Sequence, residues 1–323
     1  MLLANRKVAE FLSEKIPSAA LLRRHPPPHR RKIEGLTKMT EKMGVRIDTH
    51  ASGAIHDSLE RIRTQVDEST FFAVVLLTTK PMQNAMYFCT GAPEYESKCQ
   101  AWRHYALAFA HYTHFTSPIR RYADVVVHRL LVDVLDREAK RIEKGTKKGE
   151  TFESTGTKRS PWGRKFAEKL IEQCEQCNKQ KLAAKSVQDS SIKLYLALWL
   201  QKQDYETDAV ILDLNGPKWM GVFVPEFGME FKVYWGDDKR LKTKWDSGNK
   251  EMVVCLAESG NQGKGEGGEG KKKMKKKKKD GGGVVQTLRN FQSLRVALFS
   301  TFNEKTCTND IDARLSLNHH DQV

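Results

Sequence analysis

Apolar residues recur at helical spacing along the first two hundred positions, and beyond Asp204 they shift to short runs separated by turn residues. Phe166, Leu170, Cys174 and Cys177 fall on one helical face, and Val187, Leu194 and Leu198 carry the pattern on through Ser186 to Gln201. Phe71 to Leu77 is the longest apolar stretch, too short to cross a bilayer, and reads as a buried helix or strand segment. After the change of period, Ala209 to Leu212, Gly221 to Val224, Glu230 to Trp235, Met252 to Leu256, Leu294 to Phe299 and Ala313 to Leu317 read as strands, with turn residues such as Asn215-Gly216-Pro217 between them. The predicted class is α+β: a mainly helical part over residues 1–201, then a small β-barrel over 202–318.

The chemistry is densest from His111 to Leu131, which begins His111-Tyr112-Thr113-His114-Phe115-Thr116-Ser117-Pro118-Ile119-Arg120-Arg121-Tyr122-Ala123-Asp124. Ser117 is expected to cap a helix and Pro118 to take its first position, which sets Arg120 beside the free backbone N–H groups and the positive end of the helix dipole. A phosphate suits such a helix start, and a guanidinium adds a planar charged fork. Arg120, Asp124 and His128 recur every four residues and are expected to face a ligand channel. Ile119, Tyr122, Val126 and Leu130 would face the core. Asp124 is expected to orient Arg120 and to pair with His128, a supporting role for both.

Charge narrows the choice of partner. The 323 residues carry a net charge of +15, a surplus that favours a polyanion, nucleic acid or an acidic membrane surface, over a merely soluble basic face. The Lys/Gly-rich run at 260–283 supplies +6 of it and leaves +9 elsewhere. That run holds no aromatic residue and is expected to be a disordered insertion between strands. It would hold RNA, serve as a nuclear localisation signal, or simply stay solvated.

Six scattered cysteines show no disulfide framework, which indicates a reducing compartment. Cys174 and Cys177 form a lone CxxC in a helical pattern, better suited to core packing than to a four-ligand zinc. Arg6, Lys7 and Glu10 interrupt any signal-peptide core. A cytoplasmic location with no membrane and no indicated protein partner is the expectation.

Thr116-Ser117-Pro118-Ile119-Arg120-Arg121-Tyr122-Ala123-Asp124 followed by His128-Arg129 resembles the signature of the RNase II/RNB 3'-to-5' exoribonucleases. Leu21-Leu22-Arg23-Arg24-His25-Pro26-Pro27-Pro28, Ser52-Gly53-Ala54 and Lys80-Pro81-Met82-Gln83-Asn84-Ala85-Met86-Tyr87-Phe88-Cys89-Thr90-Gly91 are similar to family segments, in the family's order. The eukaryotic, exosome-independent cytoplasmic branch that degrades oligouridylated RNA is the most similar. The resemblance implies the C-terminal part of an RNB catalytic domain over 1–201 and an S1 domain, an OB-fold barrel, over 202–318. It also implies single-stranded RNA as partner, 3'-oligouridylated on this branch, and hydrolysis by water activated between Mg2+ ions.

The family holds those ions with an aspartate cluster spaced D-x5-D-x-D-D, ahead of the segment that Met1-Leu2-Leu3-Ala4-Asn5 resembles. Neither Asp237-Asp238 nor Asp310-x-Asp312 has that spacing, so no residue here is assigned to metal. Without ligands, two-metal hydrolysis loses both its nucleophile and its charge clamp. The chain is expected to be a fragment, inactive alone. The alternative is a noncatalytic RNA-binding protein descended from such an enzyme.

By resemblance Arg120 corresponds to the arginine near the scissile phosphate, where it would stabilise developing charge, and Arg121 is a second phosphate contact. Ser117 belongs to the same phosphate-binding helix start. Tyr112 and His114 either approach RNA or pack in their loop. Phe223, Phe227, Tyr234 and Trp235 either stack on bases or fill the barrel core. Bacterial relatives carry a carboxylate near Ala184, which this chain lacks, and Lys185 is left as a solvated lysine.

Overall fold

The computed structural model describes residues 1–41, 44–95, 99–143, 163–235, 241–248, 251–256, 284–304 and 308–316. The Lys/Gly-rich run and Asp237-Asp238 lie outside them. Two compact units emerge, one made of Met1–Ile62 with Leu76–Ser190, the other of Arg63–Val75 with Ser191–Val323.

The first unit is mainly helical. It begins with α1 (Leu2–Lys15), passes through the four-residue strand β1 (Leu21–Arg24), and continues with α2 (Arg30–Glu41) and α3 (Ser52–Arg63). The apolar stretch at 71–77 is helical, within α4 (Glu68–Thr79), of which the residues up to Val75 belong to the second unit. Strand β2 (Met86–Cys89) then returns antiparallel to β1, in the register Leu21 with Cys89 and Arg23 with Tyr87. Helix α5 (Tyr122–Glu143) and the first part of the 37-residue α6 (Arg164–Leu200) complete it.

Leu12, Ile16, Leu21, Leu22, Phe88, Val127, Val134, Leu170 and Cys174 form one buried cluster. The first part of the predicted face of α6 is core, with Leu170 and Cys174 buried and burial raising the Cys174 thiol pKa, whereas Val187, Leu194 and Leu198, expected to continue it, are exposed. Lys15 of α1 reaches Glu138 of α5 at 2.6 Å, which ties the chain's first helix to the one that carries the signature.

The second unit is a closed five-stranded barrel. Its strands β3 (Tyr205–Asn215), β4 (Trp219–Val224), β5 (Met229–Tyr234), β9 (Ser293–Asn303) and β10 (Thr308–Leu315) follow the order β10-β5-β4-β3-β9. A meander β3-β4-β5 is closed by an antiparallel β3/β9 pair and a parallel β10/β5 pair at Ala313 and Val233. Gly216 turns β3 into β4 with φ of 56°, a left-handed conformation that suits glycine. Between β5 and β9 lies a separate three-stranded sheet, β6 (Leu241–Asp246), β7 (Glu251–Leu256) and β8 (Val284–Leu288). Its Met252, Val254 and Leu288 join the buried cluster of the barrel.

No helix among the described residues is long and apolar enough to cross a membrane.

Candidate functional site

Strand β1 organises the site. Arg23 stands opposite Tyr87 across the β1/β2 ladder, and its guanidinium lies 4.9 Å above the Tyr87 ring. The backbone N–H of Arg23 donates to the Tyr112 carbonyl at 2.7 Å, and Thr113 Oγ1 donates to the Leu21 carbonyl at 2.8 Å. The stretch from Tyr112 therefore runs along β1 like a further strand. Asn5 of α1 secures it twice, donating to the Tyr112 hydroxyl and accepting the Phe115 N–H, each at 3.0 Å.

Where Ser117 was expected to cap a helix, the structure has a turn. Ser117 O accepts the N–H groups of Arg120 and Arg121, and regular helix begins only at Tyr122. The reason is Asp124. Its fully buried carboxylate accepts the Ser117 N–H and both Nε and Nη2 of Arg121, all at 2.8 Å. A carboxylate in the first turn of the helix thus reaches back to fix the turn that precedes it.

Three expectations change with it. Asp124 orients Arg121 rather than Arg120, and it lies in the core rather than on a channel face. His128 pairs not with Asp124 but with the loop: its Nε2 donates to the Phe115 carbonyl at 2.7 Å while the ring stacks on Phe115 at 4.1 Å. Ile119 is fully exposed and Tyr122 half-exposed, because the helical face assigned to them starts after the turn; Val126 and Leu130 do pack in the core.

Arg120, Arg121, Tyr122 and Ala123 line a cavity of about 720 Å³ together with Arg23, Tyr87, His114 and the α6 residues Gln176, Cys177, Gln180, Lys181 and Ala184. Four of these side chains are cationic and none is acidic. Only Arg121 is neutralised, by Asp124. Among the described residues Arg120 and Lys181 make no side-chain hydrogen bond or ion pair, and the buried Nη1 of Arg23 has no partner.

Burial and the nearby Arg23 and Arg121 push the His114 pKa down to about 3, and burial raises that of Tyr87. A 2.6 Å hydrogen bond joins the Tyr87 hydroxyl to Nδ1 of His114, whose ring is kept neutral. His114 thus reaches the cavity, whereas Tyr112 is buried and held by Asn5, the packed reading of that residue.

Residues unassigned from sequence complete the picture. Asn178 on α6 binds the main chain of Tyr87, and Arg23 and Lys181 supply charge. The segment containing Arg23 was visible as a family match. The burial that makes its guanidinium distinctive was not.

In the barrel unit Phe223 is buried in a strand covered on both faces, so it offers no stacking surface; Trp235 is likewise buried. Phe227 is half-buried, with its ring 5.9 Å from Tyr205 and 6.4 Å from the half-exposed Trp199. Tyr234 is half-exposed.

The RNB domain model matches residues 1–137, the segment that builds β1, β2 and the signature turn. The chain is 34% identical over 288 residues to DIS3-like exonuclease 2 of Arabidopsis thaliana, an alignment covering 82% of this chain and 27% of that protein. This chain belongs to the RNase II/RNB family, on the branch of the DIS3-like exonuclease 2 proteins.

A second Arabidopsis thaliana protein on this branch, described as inactive exonuclease DIS3L2, matches with the same identity and coverage. The chain spans about a quarter of the length of the curated relatives it matches, 27% in these two cases. The RNB fold is seen in yeast Ssd1, a pseudonuclease, with a TM-score of 0.72 and 21% identity over 97% of this chain and 43% of that one. It is seen also in Mycoplasma genitalium RNase R in complex with ribose-methylated single-stranded RNA, with a TM-score of 0.60 and 17% identity over 97% of this chain and 40% of that one.

RNB nucleases are generally metal-dependent, and the residues described here do not fit a metal centre. No three His, Cys, Asp or Glu side chains converge among them. Asp124 is taken up by Arg121 and Ser117, and Asp310 and Asp312 accept from Asn303 and Thr301.

Proposed function

We propose that this chain binds the 3' end of single-stranded RNA in the cavity beside Arg120, as the C-terminal part of an RNB catalytic domain (1–201) followed by an S1/OB-type barrel (202–318). The observation that carries the reading is the cavity's charge: three cations without a carboxylate partner and no acidic side chain, with Arg23 and Arg120 inside the matched residues 1–137. Such a surface attracts a polyanion, and the Arg120 guanidinium at the start of α5 suits a phosphate. Ser117 shapes the turn, Arg121 is held by Asp124, and Arg120 is the arginine placed to stabilise charge during hydrolysis in an intact relative. His114 offers a neutral ring at the cavity wall.

In that reading the chain is a cytoplasmic RNA-decay component that binds oligouridylated ends, and its longer relatives cut them with Mg2+. The barrel supports it by topology: a meander closed by one parallel pair is the arrangement of an OB barrel, and the exposed part of the Trp199, Tyr205 and Phe227 trio is its stacking surface. Cutting by this chain alone is not expected, since it lacks the aspartate spacing. Binding without cutting is also what a noncatalytic descendant would do, and a relative described as inactive belongs to the same branch.

The test is fluorescence anisotropy with a labelled oligouridylate over a series of potassium chloride concentrations. Affinity should fall steadily as salt rises. Binding insensitive to salt, or equal affinity for duplex RNA, would contradict the reading.

A further inference from the structure

Arg23 is the least expected charge in the molecule. It is 7% exposed, it lines the cavity, and its Nη1 is buried without a hydrogen-bond partner. Its one close companion on the guanidinium face is the Tyr87 ring, which offers a quadrupole and no counter-charge. A buried guanidinium ordinarily has a carboxylate; this one has none in the cavity wall, where the other cations are Arg120, Arg121 and Lys181.

Lys181 deepens the deficit. It lies on α6, near enough to Arg23 that the two charges disfavour each other, and burial lowers the pKa of both groups. Arg23 is buried while Lys181 beside it is exposed, and a buried guanidinium with a second cation next to it stabilises a fold poorly, a cost that is offset when an anion enters. Arg120 stands at the other lining element, exposed and unpaired at the start of α5.

Resting on the RNA-binding reading above, we propose that the cavity holds two successive phosphates of a single-stranded polynucleotide, one on Arg120 at the start of α5 and the next on Arg23 with Lys181. Arg23 gives the second phosphate a directional, dehydrated donor, and Lys181 gives it a mobile point charge. Tyr87 fixes Arg23 from below, and Asn178 fixes Tyr87 through its main chain. The strand pair and α6 thereby form one wall of a phosphate track whose other wall is the signature turn.

The test uses the full chain and a labelled oligouridylate, with wild type, Arg23→Met, Arg23→Lys and Lys181→Met compared over the same salt series. Each lost phosphate contact on a single strand lowers the slope of log affinity against log salt by about 0.7. Arg23→Met and Lys181→Met should each flatten the slope and weaken low-salt binding on the order of tenfold. Arg23→Lys should keep the slope. Lys181 is on the accessible side of α6, so its variant answers the question even if Arg23→Met does not fold.

A second arm replaces single phosphates of the oligouridylate with uncharged methylphosphonates. Wild type should lose affinity at two adjacent positions, and Lys181→Met should lose less than wild type at the second. Wild-type slopes in both methionine variants, with RNA still bound, would overturn the second phosphate site and leave the Arg120 reading standing. Absence of RNA binding by wild type would overturn both.

Discussion

Asn178 pairs with the main chain of Tyr87 as a neighbouring strand would: its side-chain oxygen accepts the Tyr87 N–H and its amide nitrogen donates to the Tyr87 carbonyl, each at 2.8 Å. One side chain of α6 thus satisfies the open edge of β2. Asn178→Ala removes both partners and should cost about 1–3 kcal/mol for each backbone group left unsatisfied. A lower urea midpoint with an unchanged m-value would show it. Asn178→Asp keeps the acceptor and loses the donor, so it should fall between wild type and alanine.

The two arginines of the signature should separate cleanly. Arg121→Ala leaves the fully buried Asp124 carboxylate without its fork and should destabilise the unit by about 3 kcal/mol. Arg120→Ala touches no protein partner; it should leave the melting temperature in place and weaken RNA binding. Thermal melts and anisotropy on both variants decide the matter, and equal melting temperatures for the two would contradict the assignment of Asp124 to Arg121.

Acid should loosen the first unit. Burial pushes the His104 pKa down to about 4 and that of His114 to about 3, below the unfolded value of about 6.5, and burial lowers that of His25 as well. A histidine kept neutral by folding contributes stability that is whole above the unfolded pKa and is lost as pH falls toward the folded one. Urea midpoints should therefore decline from pH 7 to pH 4. His104→Phe deletes a buried Nδ1 that has no partner and should shallow that decline; an unaltered slope would speak against the histidines as its source.

Gly91 follows the β1/β2 ladder where the chain passes closest to itself. A Cβ built there would meet the Ser18 carbonyl oxygen at 1.9 Å, a backbone atom with little freedom to retreat. Gly91→Ala should destabilise by about 1–3 kcal/mol through overpacking, and thermal denaturation would read it directly.

Much of the architecture could be read from the pattern of residues. Each of the six runs expected as strands falls on a strand, with Trp235 and Ser316 just past the strand ends and Leu317 outside the described residues, and the helical face through Leu170 and Cys174 is core. The four strands that were missed each break the rule used to find them. β1 and β2 are four residues long, and β1 is buried along Leu21, Leu22 and Arg23 without alternation. β6 alternates, but its alternate positions carry lysines rather than a conspicuous apolar run, and β8 is short. Ser-Pro signals a helix start by local chemistry, whereas α5 begins later, after a turn that the Asp124 carboxylate holds from within the helix. Arg23 was readable as a letter in a matched segment. Its isolation from any counter-charge is a property of the folded surroundings.

The way the barrel closes bears on how this basic chain behaves in company. Pairing β10 with β5 and β9 with β3 leaves the barrel no strand edge on which a second molecule could extend a ladder. The three-stranded sheet inserted between β5 and β9 has no such closure, and among the described residues β6 is one of its outer strands. Along β6 the exposed positions are Lys242, Lys244 and Asp246, with Leu241, Thr243 and Trp245 turned inward. Charged side chains on an outer strand repel an incoming copy, so resistance to aggregation rests on two lysines where the barrel achieves it by geometry. Exchanging both for valine would convert this outer strand into a template for self-association.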